Sequence, residues 1–411
     1  MNLNTKVLFV LLLTLTTKVM AGGFQINLQG QKQSGMGHTG TALAFDASSL
    51  FFNPGSVSFL EDRYNFSLGS SIIIPSTYYL EKSPGSYSEY MIVSPGTPFS
   101  AFGSARFLED KLTFGIGVYT PFGSRGIWDD EWKGRFIIQE IALKIINFQP
   151  TLSWKVSDKL AIGGGFVYSM GDFYLRKSLP LQDADGEYGS AEIQGSGNGY
   201  GYNAGIHYVI NEKLSAGLSY KSSIELNLTQ GNAAFSVPSY LEPSFPSGGL
   251  TGSLKLPSTT SAGIAYKYSE KLLLAFDFNF VGWSSYDTLS IDLENNTEKL
   301  EDINSPKLFT DSYIIRMGAQ YNLLPTLNLR LGAYFDKSPV PAGSLGPETP
   351  DTSKLGVTSG LSYIIKKRLN LDLSLLWIEG MKRSFENDET GFSGSFKSRA
   401  FVTGIGLSYS F

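Results

Sequence analysis

From about Arg63 to Phe411 the chain repeats one unit, two segments of alternating apolar and polar residues joined by a very short polar turn. Leu108–Leu112, Val156–Leu160, Ile210–Leu214 and Tyr268–Leu272 are four such turns, built on Asp, Asn, Ser, Glu and Lys and closed by an apolar residue that restarts the next segment. Asn322–Pro325 and Ile365–Arg368 fill the same place with other residues. Between them lie long connections rich in Gly, Pro and Ser, at roughly 76–98, 121–136, 178–190, 231–249, 284–309, 337–353 and 382–397. Short and long connections alternate without exception. Six short turns and seven long loops join fourteen strands, and an even count with short turns at one end and long loops at the other is the organisation of an antiparallel outer-membrane barrel.

The direction of the alternation separates a membrane barrel from a soluble one. The last segment places Phe401, Thr403, Ile405, Leu407, Tyr409 and Phe411 on one face and Val402, Gly404, Gly406, Ser408 and Ser410 on the other. Leu369–Trp377 and Leu272–Phe280 divide in the same way. Fourteen strands enclose more volume than side chains can fill, so the greasy face must point outward to lipid. Trp154, Tyr208, Tyr266, Tyr321, Tyr363 and Tyr409 fall on that face just before a short turn or the C-terminus, as an aromatic belt at a bilayer interface requires. Two strands fit less cleanly. In the fourth, Ile141, Leu143 and Ile145 are followed by Ile146 and Phe148, which reads as a slip at a bulge; in the second, Phe102 and Phe107 compete for the outer face.

Composition agrees and narrows the chemistry. Only 17% of the 411 residues are charged, against about 25% in an ordinary soluble protein. No cysteine is present and there are two histidines, His38 and His207, so thiol chemistry and thiolate metal sites are excluded; no metal, cofactor or enzymatic activity is expected. A net charge of −4 gives no footing for nucleic acid. Gly199–Ala204 matches a dinucleotide pattern by letters but lies in an alternating strand, and Asp183–Glu187 begins like a calcium loop but lacks its later ligands. His207 faces the lumen with no nucleophile placed to meet it, which disfavours a barrel-embedded lipid hydrolase. Lys6, the apolar run Val7–Leu15 and Val19-Met20-Ala21 make residues 1–21 a secretory signal, and the run is too short to cross a bilayer as a helix.

Residues 22–60 do not alternate. They are too apolar for a disordered tail, and they are best placed inside the lumen as a plug, with Thr41–Leu50 as a short helix, ahead of a barrel over 61–411. Gly23-Phe24-Gln25-Ile26-Asn27, Ser34-Gly35-Met36-Gly37, Asp46-Ala47-Ser48-Ser49 and Phe51-Phe52-Asn53-Pro54, with Tyr119–Gly123 after the third strand, resemble the FadL/TodX family of outer-membrane transporters for long-chain fatty acids and hydrocarbons. Gly55 departs from that family's Asn-Pro-Ala, so Asn53, Pro54 and Gly55 mark the hatch motif with a local change. The resemblance implies a fourteen-stranded barrel closed by a hatch, with cargo leaving sideways at a kink in the third strand. Gly115 and Gly117 face inward there and suit either a close approach or bulge, or a plain packing role of the kind the many other glycines of the barrel play.

Alternation turns Arg316 and Arg330 inward, and counting from the turn between their strands puts them near one height. Like charges side by side call for an anion, either a ligand carboxylate or one of Asp46, Asp277 and Asp372. Phe24, Ile26, Leu28, Phe45, Phe51 and Phe52 either line an apolar ligand pocket or fasten the plug to the wall. The expectation is a monomeric outer-membrane importer of hydrophobic compounds, long-chain fatty acids first, by passive diffusion with lateral release. Its surroundings would be outer-membrane lipid, lipopolysaccharide and the barrel-assembly machinery, which would read Tyr409-x-Phe411. A general diffusion porin is the alternative.

Overall fold

The computed structural model describes residues 23–366 and 368–411; the expected signal, residues 1–21, lies outside them. Fourteen strands form the wall: β1 (Tyr64–Glu81), β2 (Phe99–Phe107), β3 (Leu112–Ile127), β4 (Glu140–Lys155), β5 (Leu160–Gln182), β6 (Tyr188–Asn211), β7 (Leu214–Lys221 continued by Ile224–Ser236), β8 (Gly248–Leu256 continued by Ser258–Lys267), β9 (Leu272–Gly282), β10 (Ser312–Leu324), β11 (Leu327–Asp336), β12 (Lys354–Lys366), β13 (Leu369–Gly380) and β14 (Ser393–Ser410). Each pairs antiparallel with the next, and β14 closes on β1 from Asn65↔Ser410 to Glu81↔Gly394, so no edge strand remains.

The expected outward face is outward. Phe401, Ile405, Leu407, Tyr409, Leu373, Leu375, Trp377, Phe276, Phe278 and Phe280 are exposed on the outside, while Val402, Ser408, Asp372, Asp277 and Asn279 are buried in the lumen. All six belt aromatics, from Trp154 to Tyr409, are exposed. In β2 the lumen takes Phe102, and Phe107 lies on the outer surface.

Above the lipid-facing belt the polarity of the wall inverts. In β7 Ile224, Leu226 and Leu228 turn inward while Glu225 and Asn227 face out. In β4 Ile145 is buried inside with Ile141 and Leu143 packed beside it, and Lys144 faces out. The slip expected in β4 is this inversion, since its register with β5 is unbroken; an irregularity does fall at Ile145–Asn147, but on the β3 side, where the pairing shifts between Tyr119↔Asn147 and Phe122↔Ile145. Beyond the bilayer the outer surface meets water, so apolar side chains gain by moving to the inside, where the long loops cover them. The same inversion explains why several expected loops are strand. β5 and β6 run through most of 178–190 and leave only 183–187 as their tip, and β1, β3, β7, β8 and β14 likewise extend into segments whose polar outer residues read as loop.

Residues 28–60 lie within the barrel, and only Ala44, Phe45, Phe52 and Phe59 among them are more than slightly exposed. The expected helix at Thr41–Leu50 is largely irregular chain; helix forms at Gln31–Ser34 and Ser49–Phe52, followed by a 3-10 turn at Pro54–Phe59. Bonds to the wall run around the circumference. Gln31 joins Ser71 of β1 and Ser374 of β13, Gly37 N donates to Thr358 of β12, Gly40 and Thr41 to Asp277 of β9, Asn53 to the Ile206 carbonyl of β6, and Ser58 to Ser153 of β4. Inward glycines let this segment approach the wall backbone. A Cβ on Gly217 would sit 1.9 Å from the Thr41 carbonyl oxygen, and one on Gly332 would sit 2.1 Å from Gly37 N. The lumen is occupied by chain.

Candidate functional site

The two inward arginines have different surroundings. Arg316 faces Tyr334 across the β10–β11 ladder and Arg330 faces Gln320, so they stand four residues apart along the strands. The expectation of a shared height is therefore corrected. Arg330 Nε donates to Gln320 Oε1 at 2.8 Å, Nη1 donates to Ser362 Oγ and lies 4.0 Å from Asp372 Oδ1, and the guanidinium stands 5.5 Å from the Phe45 ring centre. Asp372 is also 4.0 Å from Lys32 Nζ, which pairs with Asp46 at 2.9 Å. Two cations and two carboxylates balance there, and the cluster ties the inner segment to β11 and β13.

Arg316 has no such balance. Its Nε donates to Asn279 Oδ1 at 2.7 Å, and its Nη1 has no partner among the described residues. Asp277, opposite it in the ladder, is turned to the inner segment instead: Oδ2 accepts from Gly40 N, Thr41 N and Thr41 Oγ1 at 2.8–2.9 Å. Lys221, at the bend in β7, points into the same space with Nζ 3.2 Å from the centre of the Phe51 ring, and makes no ion pair among the described residues. Asp277 itself, with Gln25, Asn27, His38, Thr41, Phe51, Phe52, Thr259, Ser261, Asn279 and Ile314, completes the lining of a void of about 20 Å³, room for about one water. His38 lies on the inner segment with its ring 5.1 Å from that of Tyr334; burial, then the nearby Arg316 charge, holds its imidazole well below the ordinary value.

Of the six apolar residues singled out from the sequence, Phe51 and Phe52 line this void. The others are spread over separate clusters. Phe24 stands edge-on to Trp283 at 4.8 Å, Tyr286 at 5.9 Å and Phe122 at 6.1 Å. Leu28 and Ile26 pack with Leu376 and Val402, and Phe45 joins Met36, Ala42 and Leu43. Asn53 Nδ2 donates to the carbonyls of Thr41 at 2.8 Å and Ile206 at 2.9 Å, and its Oδ1 accepts from Gly55 N, which opens the turn that starts at Pro54. His207 is buried with its ring 4.9 Å from Phe59. Sequence reading missed Lys221, although Leu218 and Tyr220 face outward and parity alone turns Lys221 in.

Gly115 and Gly117 sit in regular ladder, where a Cβ would meet Leu50 at 2.3 Å and Phe102 at 2.7 Å. The break in β3 comes later, as a register shift between Tyr119 and Phe122. Past Ser100↔Tyr119 and the Phe99–Thr120 contact, the next bond from the β2 side reaches β3 at Ile127, from Ile92 N, so Pro121–Gly126 lack a ladder partner there among the described residues. The inner segment lies across this break from within: Ile26 N donates to the Pro121 carbonyl, Gly123 N to the Phe24 carbonyl, and Gln29 Nε2 to the Thr120 carbonyl.

A family model described as "Outer membrane protein transport protein (OMPP1/FadL/TodX)" matches residues 12–411. The chain belongs to this family. It is an outer-membrane β-barrel transport protein, and its relatives are transport proteins rather than enzymes. A long-chain fatty acid transport protein of Salmonella typhi is 22% identical over 426 residues, covering 97% of this chain and 96% of the relative. Outer membrane protein P1 of Haemophilus influenzae is likewise 22% identical, with 95% of each chain covered. Among solved structures, a Pseudomonas aeruginosa FadL homologue superposes with a TM-score of 0.82 at 18% identity, covering 95% of this chain and all of the other. The toluene transporter TodX of P. putida gives 0.70 at 16%, with 96% and 99% covered. These likenesses establish the fold.

Proposed function

We propose that the chain takes up hydrophobic carboxylates, long-chain fatty acids first, by passive diffusion, with Arg316 and Lys221 as the carboxylate site and Phe51, Phe52 and Ile314 against the first carbons of the chain. One observation carries this reading: two inward cations without a direct ion pair among the described residues share a void with aromatic rings, while the neighbouring Arg330 is bonded to Gln320 and Ser362 and lies 4.0 Å from Asp372. Burying a cation without a direct ion pair is costly, and with Asp277 turned to the inner segment an arriving carboxylate relieves that cost while its tail fills apolar surface. The Salmonella relative's name points to the same cargo.

The apolar interior above the membrane captures the molecule. A void of about 20 Å³ is too small for an acyl chain, so residues 23–29 must move as the hatch. The cargo then leaves beside Pro121–Gly126 into the lipid. A general porin would need an open lumen. The protein works as a monomer amid outer-membrane lipid and lipopolysaccharide, and Tyr409-x-Phe411 serves the barrel-assembly machinery. The test is equilibrium binding of oleate and of hexadecane to the folded protein. Arg316→Met with Lys221→Met weakens oleate by about 30-fold, near the loss of one charge-assisted bond pair, and leaves the alkane unchanged. Equal loss of both ligands, or none, rejects the assignment.

A further inference from the structure

The polar outer face of the tall sector holds a second concavity, unrelated to the cargo path. β5 and β6 have 23 and 24 residues, against 13 and 10 in β10 and β11, so the wall rises on one side. There two rows of outward side chains cross four strands. Lys144, Asp172, Ser196 and Gln230 are successive ladder partners in one row, and Ala142, Tyr174, Gln194 and Asn232 in the other. They line a dished surface of about 610 Å³. Just below it on the same face are Met170, Phe148 and Tyr200, exposed to lipid.

The polar groups in this dish are exposed or half-buried and not paired with one another. Lys144 and Asp172 face each other in the ladder but form no ion pair, and the side chains of Gln194, Ser196, Gln230 and Asn232 make no hydrogen bond among the described residues. Nearer the strand tips the charges are paired instead, Arg125 with Glu140 and Arg176 with Asp130, each at 2.9 Å. The open set is rich in amides, which donate and accept at once, with one carboxylate, one ammonium and the Tyr174 ring as a flat face. That inventory suits hydroxyl groups. A phosphate would need an excess of cations, and Lys144 is offset by Asp172.

We propose that this dish binds the core oligosaccharide of lipopolysaccharide in the surrounding leaflet, through its sugar hydroxyls. The choice of a membrane-anchored sugar rests on position: the dish begins where the lipid-facing belt ends, at the level of the head groups. A glycolipid seated there steadies the tall sector, whose inner face carries Ile193, Leu226 and Leu228.

The test uses the folded protein in lipid nanodiscs titrated with three probes: lipopolysaccharide with a complete core, lipid A without core, and the free core oligosaccharide. Gln194→Ala with Asn232→Ala is expected to weaken the core-bearing form by about tenfold and to leave lipid A unchanged, with the heat-modifiable barrel band intact. Ser196→Trp, which fills the dish without removing an amide, is expected to give the same loss. Unchanged affinity in both variants overturns the proposal, as does equal weakening for lipid A. Binding of the free oligosaccharide with no response to the membrane-anchored form also overturns it, because the source would then be a soluble glycan.

Discussion

Gln320 stands opposite Arg330 on adjoining strands, and its Oε1 accepts from the guanidinium Nε at 2.8 Å. Together with Ser362 and Asp372 it engages Nε and Nη1 of Arg330, so this arginine braces the wall, whereas the buried Nη1 of Arg316 has no partner among the described residues.

Removing the brace therefore acts on stability. Arg330→Met leaves Asp372 buried with Lys32 at 4.0 Å as its remaining cation. A cost of about 3–5 kcal/mol is expected for breaking a buried pair from one side. The readout is the temperature at which the folded band converts on a heat-modifiability gel: Arg330→Met lowers it, and Arg316→Met does not.

Glycine contacts hold the inner segment against the wall. Gly217→Val places side-chain atoms where the Thr41 carbonyl oxygen lies. The barrel ladder has no need of that segment, so the expected product is a folded barrel with a displaced plug and raised ion conductance in planar bilayers. A variant that conducts no better than the parent would mean that the segment adapts in place.

Asn53 carries three bonds at one position. Asn53→Ala frees the carbonyls of Thr41 and Ile206 and the amide of Gly55, with about 1–3 kcal/mol lost from the seating of residues 41–60. Hydrogen exchange localised by peptide should speed up in that stretch and remain unchanged in the β14–β1 ladder. Uniform exchange across both would point to global loosening instead.

The buried His38 gives the seating a pH dependence. Its imidazole is held below the ordinary value of about 6.5 in the seated segment and returns to that value once displaced and hydrated. The displaced form thus binds more protons. The contribution of a neutral His38 is complete above about pH 6.5 and declines as pH falls through and below it. Once the intrinsic pH dependence of amide exchange is divided out, the protection of residues 31–41 should be lower at pH 5 than at pH 7.5 in the parent, and His38→Gln should remove the difference.

How much of the site was legible depends on what each inference needed. Parity along a strand is a local property, so the inward direction of Arg316, Arg330 and Asp277 follows from neighbours such as Ile315 and Leu331. Height is not local. Counting from a turn centred near Leu323 makes the two arginines level, but the β10–β11 reversal is centred at Pro325, and a two-residue error in the centre shifts the pairing by four. Similarly, the extended reach of β5 and β6 was hidden because their outer residues become polar where water replaces lipid.

The sequence by itself determined the strand number, the antiparallel order, the lipid-facing side and the presence of an N-terminal segment that does not alternate, because each follows from the period of two and the lengths of connections. Tertiary structure decided which cation stays unpaired, where β3 breaks, and which glycines receive the inner segment. Those depend on register between strands and on contacts between residues hundreds of positions apart, such as Lys32 with Ser408, which no local pattern encodes.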